Sequence, residues 1–307
     1  MGLLAGVALD ALLGDPRRWH PVAGFGRTAG ALERTIHADS RVRGVVFTAV
    51  LVGGAGAAGR VLERRGGVVA TALVTWAVLG GTSLGREGRR MAGLLEAGDL
   101  EGARARLSHL CARDPSGMDA KGLARATVES IAENTSDAAI APLLWGAVAG
   151  VPGLAAYRAI NTLDAMVGYR SDRYERFGWA SARLDDLANW VPARVTGILT
   201  VACGGGAGAW RVLRRDGGRH PSPNAGRCEA AFAGALDVRL GGTNVYGGRV
   251  EARPEMGDGR EPEVADIRRA VRLSAAVTVA AGALAAGTAV GVAAGVAAVA
   301  GRTRRTR

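Results

Sequence analysis

The sequence has little of several residue types on which common soluble sites depend. Aromatic residues make up 5% of its 307 residues, Lys121 is the single lysine, and there are 4 histidines. The 3 cysteines, Cys111, Cys203 and Cys228, are scattered, with no CxxC pair and no histidine at ligand spacing. These absences argue against a cysteine metal centre and a disulfide framework, so we interpret the cysteines as reduced and structural.

Several motifs of nucleotide-dependent and hydrolytic enzymes are also missing. The chain has no GxxxxGK[ST] loop, no Rossmann glycine fingerprint and no protein-kinase pattern. No Ser-His-Asp or Cys-His order can be assigned as a nucleophilic site. The N-terminus lacks a basic segment followed by a small-residue cleavage site, so we expect no cleaved signal peptide.

Apolar residues of small size are abundant instead. Hydrophobic residues of all sizes make up 48% of the chain, mainly Ala, Val and Leu, and there are 47 glycines, a composition that suits closely packed membrane helices. A helix of about 20 apolar residues crosses a bilayer. The sequence therefore predicts an all-α, polytopic integral membrane bundle with about 4–5 membrane helices. The runs that carry this prediction are 42–59, 68–84, 138–156, 195–210 and 273–300, while the shorter run 2–13 predicts a tilted or re-entrant helix.

The net charge of +11 comes almost entirely from arginines in the segments between these runs and in the C-terminal tail. A nucleic-acid-binding protein would concentrate this charge in one patch, so we expect membrane lipid and no nucleic acid as a partner. Arginine-rich loops mark the cytoplasmic side of membrane proteins. We therefore predict one multi-pass membrane domain over 1–307, with its active site facing the cytoplasm. The polar, partly helical segments that would form this site are 85–137, 157–194 and 211–270.

The apolar runs 42–59 and 68–84 predict a transmembrane hairpin. The loop between them would carry Arg60, Arg64 and Arg65. In the run 273–300, three glycines at GxxxG spacing permit close helix packing.

The segment 124–194 has the highest density of polar groups beside apolar sequence. Glu129, Glu133 and Asp137 are spaced i, i+4, i+8, which places them on one face of a helix. Such a column of carboxylates repels itself, and Mg²⁺ with oxygen ligands relieves the repulsion. Asn134 adds a neutral oxygen. The alternative is the solvated face of an amphipathic helix.

A second group of acids follows in the same segment. Asn161 and Asp164 are three residues apart and can share one ligand, and Asp185 and Asn189 repeat the arrangement four residues apart. Asp186 lies beside a membrane entry, where an acid is costly unless it is paired or functional. The arginines that can pair with these acids or hold phosphate are Arg158, Arg170, Arg173 and Arg183.

Two further stretches add polar groups. The loop 14–27 contains Asp15 and His20, and a helix exit at the membrane surface explains it equally well. In the stretch 220–248, a turn containing Ser222 and Asn224 leads into a helix near Arg227, and its backbone amides can bind an anion. Four glycines between 241 and 248 predict a flexible loop.

These residues carry a resemblance to a known family. The chain resembles the adenosylcobinamide-phosphate synthases of cobalamin biosynthesis, known as CobD/CbiB. The matching stretches are LDALLGDPRRWHPV, VESIAENTSDAAIAPLLW, AYRAINTLDAMVGYR, FGWASARLDDLANWVPARVTG and the stretch from HPSPNAGRCEAAFAGALDVRLGG to NVYGG.

The resemblance implies an integral membrane enzyme. Such enzymes join adenosylcobyric acid, a corrinoid, to an aminopropanol or to its phosphate, with ATP as co-substrate and Mg²⁺ as cofactor. We expect the phosphate, (R)-1-amino-2-propanol O-2-phosphate. The product is adenosylcobinamide phosphate. The family's place in a pathway also implies contact with other late cobalamin-pathway membrane enzymes.

The resemblance does not assign individual roles, so we state these as hypotheses. The expected catalytic acids are Glu129, Glu133, Asp164, Asp185 and Asp186. The expected Mg²⁺ ligands are Glu129, Glu133 and Asp137. The groups expected to bind substrate or nucleotide are Asp15, His20, Asn134, Arg158, Asn161, Arg170, Arg183, Asn189, Ser222 and Asn224.

Three other classes of membrane protein would show different sequence features. A non-catalytic sensor of the same superfamily would be expected to lose acids from AENTSD and NTLD, which are intact. A prenyltransferase would carry repeated DxxxD motifs, which are absent. A transporter would place its polar groups at mid-membrane within apolar helices.

We expect the two acidic parts of 124–194 to form one site. Both parts would then face the same compartment. The apolar run 138–156 between them would dip into the membrane, or pack against the bundle, rather than cross it.

Overall fold

The computed structural model describes residues 1–15, 20–169, 171–246 and 249–305. About 77% of the structure is helical, which confirms the all-α prediction. The helices are α1 (Gly2–Leu13), α2 (Pro21–Ile36), α3 (Arg41–Val78), α4 (Gly81–Glu96), α5 (Leu100–Leu107), α6 (Ala120–Thr135), α7 (Ala141–Val167), α8 (Trp179–Ala188), α9 (Trp190–Thr200), α10 (Gly206–Asp216), α11 (Ala225–Leu236) and α12 (Val264–Arg305). Short π-helices follow α6 at Ser136–Ile140 and α9 at Val201–Gly205.

The chain forms two compact units, each built from separate stretches of sequence. Unit 1 comprises Met1–Leu79, Ala141–Ala188 and Ala280–Arg307. Unit 2 comprises Gly80–Ile140 and Asn189–Val279. The prediction of a single membrane domain over 1–307 stays a prediction.

Three helical stretches of the described chain are long and apolar enough to cross a membrane: Arg41–Glu96, Ala120–Val167 and Val264–Val292. α1 is also apolar but has only 12 residues. Since a helix rises about 1.5 Å per residue, α1 is too short to cross a hydrocarbon core of about 30 Å. The structure therefore supports membrane helices, while their predicted number of about 4–5 stays a prediction.

The predicted loop that carries Arg60, Arg64 and Arg65 is helical. α3 continues through these residues and breaks at Gly67, which has φ 50° and ψ −126°. The loop prediction was wrong because strong helix formers such as Leu, Glu and Arg fill positions 62–65, so that only the glycine interrupts the helix.

In unit 1, α7 reverses direction at Gly150. This residue has φ 65° and ψ −150°, a conformation open essentially to glycine. A Cβ at Gly146 would lie 2.9 Å from Leu154. Residues eight apart in a straight helix are separated by about 12 Å, so the two halves of α7 pack against each other as a hairpin.

The side chain of Glu63 stabilises this reversal. Its Oε1 accepts the backbone N–H of Val151 at 3.1 Å, at the start of the second half of α7. Gly59 brings α3 into contact with Pro152 at the same place, since a Cβ there would meet the Pro152 Cα at 2.9 Å. The reversal agrees with a segment that enters and returns, as predicted for 138–156, but whether it enters a membrane stays a prediction.

Unit 1 has an apolar core between α3 and α7. Phe47 and Leu51 of α3 pack with Leu163 and Val167 of α7 and with Phe177. These residues recur about every fourth position, as expected for helices that pack along one face. The core holds the second half of α7, which carries Arg158, Asn161 and Asp164, in a defined orientation.

In unit 2, the helices α4 and α5 within the polar segment 85–137 are amphipathic. Leu95 of α4 and Ala103 and Leu107 of α5 are buried, as their helical spacing requires. α6 packs against α4, where Gly88 brings the backbone close to Ile131. α6, which carries Glu129 and Glu133, is therefore fixed in the core of unit 2, where Glu129 itself is buried.

A flexible loop was predicted for four glycines after α11. For Gly241 and Gly242 this prediction was wrong because they lie in a strand of a β-hairpin, while Gly247 and Gly248 lie outside the described residues. β1 (Leu240–Tyr246) and β2 (Arg249–Met256) pair antiparallel. Gly241 and Gly242 have φ near 90° and interrupt the register, as glycines do at a β-bulge. Gly241 and Gly242 therefore allow a strand to bend.

Two of the glycines at GxxxG spacing in α12 make no close packing contact with the part of the chain that the structure describes. Within that part, no neighbouring heavy atom lies within 4 Å of a Cβ built at Gly287 or Gly291. The third, Gly295, has no described side-chain environment.

We predict that Gly150→Ala destabilises the protein. The backbone conformation alone should cost about 1–3 kcal/mol, because it is strained for any residue with a Cβ. The added methyl group would also collide with the Glu63 carboxylate. Thermal unfolding of the purified protein in detergent measures the change as a lower Tm.

Gly54→Ala is the matched control. No neighbouring atom lies within 4 Å of its Cβ position, and its helical conformation favours alanine. The Tm of this variant should equal or exceed that of the wild type. An equal loss of Tm in both variants would contradict a specific role for Gly150.

Candidate active site

The centre of unit 2 is a buried ion pair between Arg113 and Glu129. The side chain of Arg113 is 4% exposed and that of Glu129 1% exposed, and Arg113 Nη1 donates to Glu129 Oε2. The other carboxylate oxygen, Oε1, accepts the backbone N–H of Gly241 at 2.6 Å. Each oxygen of Glu129 therefore has a donor, as a buried carboxylate requires.

A second group of side chains lies in the same unit. Glu133 of α6, His220 and Glu229 of α11 carry potential ligand atoms that all lie within 4.8 Å of one another. His220 and Glu229 are buried and Glu133 is half-buried. This group, here called the Glu133 cluster, combines two carboxylates with one imidazole.

The environment of the Glu133 cluster disfavours charge on its buried members. Burial raises the pKa of Glu229 well above its ordinary value, and the nearby carboxylates of Glu133 and Glu129 raise it further. Burial also lowers the pKa of His220, with a further contribution from Arg253, whose Nη1 lies 2.8 Å from His220 Nε2. His220 is therefore neutral at pH 7.

The predicted Mg²⁺ ligands Glu129, Glu133 and Asp137 do not group together among the described residues. Glu129 is occupied by Arg113 and Gly241. Asp137 lies in the π-helix Ser136–Ile140 and interacts electrostatically with the buried thiol of Cys228, as Glu133 does. This ligand set stays a prediction, and the geometry favours Glu229 and His220 as neighbours of Glu133.

The other predicted residues of unit 2 have local partners. The amide nitrogen of Asn134 donates to Ser130 O at 2.9 Å. Ser222 Oγ accepts the N–H groups of Asn224 and Ala225, at 3.3 and 3.2 Å. The amides expected to bind an anion are thus bonded to Ser222. Asn189 is buried at the start of α9.

Unit 1 gathers the second set of predicted acids. Asp185 and Asp186 of α8 lie close enough to Asp164 of α7 to interact with its carboxylate. Arg183 Nη1 lies 3.4 Å from Asp186 Oδ2, and Arg158 Nη1 donates to Asn161 Oδ1 at 3.4 Å. The structure thus brings these predicted residues of α7 and α8 into one neighbourhood.

His20 and Asp15 belong to unit 1 as well. His20 Nδ1 accepts the N–H of Val22 at 3.2 Å and caps α2. Burial lowers the pKa of His20, while Asp15 raises it and Arg158 lowers it. Asp15, His20 and Arg158 are therefore electrostatic neighbours. The predicted Arg170 lies outside the described residues.

Four residues of unit 2 were not predicted as site residues: Arg113, His220, Glu229 and Arg253. For Glu229 a signal existed, since it is the one acid in the Ala-rich helix AGRCEAAFAGAL, where a charge is costly unless it has a role. His220 repeats the His-Pro pair of His20. The two arginines carry no pattern that separates them from the chain's many others.

Comparisons with known proteins find one family of related sequences. Residues 3–274 match the sequence model of the family "CobD/Cbib protein". A protein of Mycobacterium tuberculosis named "Cobalamin biosynthesis protein CobD" is 56% identical over 290 residues, covering 92% of this chain and 93% of that protein. Proteins of the same name from Geobacter metallireducens and Rhodobacter capsulatus are 47% and 42% identical, covering 85% and 88% of this chain and 87% and 91% of their own lengths. No solved structure matches.

The match over most of the chain defines its class. This protein belongs to the CobD/CbiB family, as its sequence resemblance predicted. It is therefore a cobalamin biosynthesis protein with membrane-length apolar helices.

We predict that Arg113→Met destabilises the protein by about 3–5 kcal/mol, because it leaves the buried carboxylate of Glu129 without its cation. Adding Glu129→Gln should recover part of the loss, since the amide oxygen still accepts the Gly241 N–H while the charge is gone. Denaturant unfolding in detergent measures both changes.

The control is Lys121→Met. Lys121 lies 3.5 Å from Glu261 in an exposed pair, with side chains 62% and 60% exposed. Its loss should cost less than about 1 kcal/mol. If Arg113→Met cost no more than this control, the buried pair would not be a structural centre.

Proposed function

We propose that this protein is an adenosylcobinamide-phosphate synthase. It would join the carboxylate of adenosylcobyric acid to the amine of (R)-1-amino-2-propanol O-2-phosphate as an amide, with ATP as co-substrate. Family membership supports the pathway. The structural observation that carries the proposal is the Glu133 cluster with Arg113 and Arg253 beside it, a buried set of carboxylates and cations.

A carboxylate is a poor acyl donor, so amide formation requires activation. In the proposed reaction a carboxylate oxygen of the corrinoid attacks the γ-phosphorus of ATP, ADP leaves, and an acyl phosphate forms. The amine then attacks the carbonyl carbon, phosphate leaves, and the ammonium proton passes to a base. The chain must therefore supply cations for phosphate and an acceptor for one proton.

Arginines are suited to the first task. A guanidinium binds phosphate oxygens in a bidentate manner and keeps its charge. In unit 1, Arg158 and Arg183 lie among acids, and in unit 2, Arg253 lies beside His220. We assign phosphate binding to these arginines.

Carboxylates are the candidates for the proton acceptor. Glu129 is unsuited because Arg113 neutralises it and both of its oxygens accept hydrogen bonds. The candidates are Glu133, which is half-buried in unit 2, and Asp164 with its neighbours Asp185 and Asp186 in unit 1. Proton uptake relieves repulsion where carboxylates lie together.

Mg²⁺, which the family resemblance implies, would neutralise phosphate charge when bound. Oxygen ligands of the type it prefers are present at Glu133 and Glu229. The donor set of unit 2 therefore fits the ion.

The cellular setting is part of the proposal. We expect a multi-pass protein of the cell membrane whose substrate site faces the cytoplasm, where ATP is available. The membrane-length helices support the membrane assignment. Contact with other late cobalamin-pathway membrane enzymes would follow from a shared membrane.

We predict that Glu133→Gln and Asp164→Asn each lower turnover by about 10²–10⁴-fold, the usual contribution of a proton-transfer group. The assay measures adenosylcobinamide phosphate formed from adenosylcobyric acid, ATP and aminopropanol phosphate by the purified protein.

Glu101→Gln is the control, because the Glu101 side chain is 85% exposed and pairs only at the surface with Arg104. It should leave turnover unchanged. Near-wild-type turnover in both acid variants would contradict the assignment of the acids, and no product from the wild-type protein would favour a non-catalytic sensor.

A further inference from the structure

A second place in unit 2, outside the Glu133 cluster, has room for a small molecule. Two cavities of about 200 and 470 Å³ lie at the N-terminal end of α6 and share Asp119, Gly122 and Arg125 in their walls. The rest of their walls comes from the segment 114–118 and from residues in and around the β-hairpin. We call these two cavities together the Arg125 pocket. Pockets for drug-sized ligands measure about 300–1,000 Å³, so the Arg125 pocket suits a small ligand.

The guanidinium of Arg125 lacks an anionic partner within the described part of the chain. Its Nη2 donates to the backbone carbonyl of Thr243 at 3.0 Å, the one hydrogen bond identified there for this side chain. Its Nε is buried and has no hydrogen-bond partner among the described residues. A buried N–H without an acceptor is costly, and an anionic oxygen of a ligand would satisfy it.

The surrounding backbone holds this guanidinium at the pocket. Gly242 lies at the β-bulge with φ 87°, and a Cβ built there would lie 2.8 Å from Arg125 Nη1. The glycine therefore lets the hairpin lie directly against the guanidinium. The end of α6 is already capped, because Asp119 Oδ1 accepts the N–H of Gly122 at 2.8 Å. Arg125, rather than the helix end, is therefore the group that offers N–H donors to an anion.

The charged side chains around the pocket have both signs. In the smaller cavity, acidic and basic side chains are equal in number: Asp119, Glu255 and Glu261 against Lys121, Arg125 and Arg239. The carboxylate of Glu255 lies 3.7 Å from Arg239 Nε, beyond hydrogen-bond distance. In the larger cavity, the N–H of Ser116 lowers the pKa of Asp114, so this carboxylate is charged at pH 7. A purely anionic ligand would be repelled by these acids, whereas a ligand with one cationic and one anionic group finds a partner for each.

The pocket is connected to the buried ion pair of unit 2. Arg125, Glu129 and Glu133 follow one another at intervals of four residues on α6 and therefore share one face. Gly241, whose N–H donates to Glu129, also lines the smaller cavity. A ligand in the pocket thus lies on the side of α6 that carries a candidate proton acceptor.

We propose that the Arg125 pocket binds a small zwitterion, the phosphorylated amine substrate, with Arg125 holding its phosphate and the acids of the wall facing its ammonium group. A guanidinium can bind two phosphate oxygens at once. Arg125 then selects (R)-1-amino-2-propanol O-2-phosphate over free aminopropanol. The identity of the ligand rests on the proposed function, but its binding can be measured without the reaction. Arg125 is not among the arginines assigned to phosphate above.

The first experiment measures binding to the full-length protein in detergent by isothermal titration calorimetry, without ATP or corrinoid. The wild type should bind the phosphorylated amine, and free aminopropanol should bind at least about 10-fold more weakly, because it offers Arg125 no charged acceptor. This comparison needs no variant. Equal affinity for the two amines, or no binding of the phosphorylated amine, would overturn the proposal.

Arg125→Met should weaken binding of the phosphorylated amine by about 10–100-fold, as expected when a charged hydrogen-bonding group is removed. Arg125→Lys should lose less affinity, because lysine keeps the charge but not the paired donors.

The control for these variants is Arg90→Met. Arg90 is 58% exposed, pairs with Glu87 on α4 and lies outside the pocket wall. This variant should bind the phosphorylated amine as the wild type does. An equal loss of affinity in Arg90→Met and Arg125→Met would reject a specific role for Arg125.

Glu255→Gln tests whether the ligand is a zwitterion or only an anion. Removal of this exposed carboxylate should weaken binding of the phosphorylated amine by about 2–5-fold, the effect of one exposed charge pair. It should strengthen binding of inorganic phosphate, because one source of repulsion is gone. Stronger binding of both ligands would make the pocket a general anion site, with nucleotide phosphate as its occupant, and would overturn the proposal.

The coupling assay separates this inference from the proposed function. Arg125→Met should raise KM for the phosphorylated amine by about 10–100-fold and leave kcat nearly unchanged, because Arg125 contacts the phosphate and not the reacting amine. Product formation with an unchanged KM in this variant would retain the synthase and reject the pocket. Selective binding of the phosphorylated amine without product formation by the wild type would retain the pocket and reject the synthase.

Discussion

Unit 2 depends on the neutralisation of one buried carboxylate. Glu129 stands on α6 in the core, where an isolated charge would cost several kcal/mol. Arg113, from the segment before α6, and the Gly241 N–H, from β1, each satisfy one of its oxygens. Three distant parts of the sequence are thereby held at a single point.

The neutralised Glu129 sets the chemistry available to its neighbours. With Arg113 engaged by Glu129, the carboxylates of Glu133 and Glu229 meet in a buried place where charge is disfavoured. A proton or a cation must balance them. The proposed reaction needs both a proton acceptor and a divalent cation. Two carboxylates that repel each other are suited to bind either one.

In unit 1, the backbone conformation of Gly150 positions the candidate site residues, as the Glu129 ion pair does in unit 2. The reversal of α7 at Gly150, stabilised by Glu63, lets two short helical segments pack side by side. The second of them carries Arg158, Asn161 and Asp164 toward the acids of α8. Breaks with the same sign of φ occur at Gly67 and Gly206, so glycine repeatedly interrupts apolar helices in this chain.

The sequence by itself determined the helical class, the apolar stretches of membrane length and the family. Composition and periodicity are local properties of the sequence. The segments that carry them form the helices α4, α5 and α12. It also placed Glu129 and Glu133 on one helix, because their spacing alone defines a face. The family resemblance rested on long motifs and needed no tertiary information.

Only the tertiary structure decided which groups meet. Glu229 lies about a hundred positions from Glu133, and no local pattern relates them. The π-helix that contains Asp137 was also not predicted, because the i, i+4, i+8 spacing of the acids assumes a regular α-helix. Contacts between side chains that are far apart in the sequence depend on long-range packing, which the spacing of neighbouring residues does not determine.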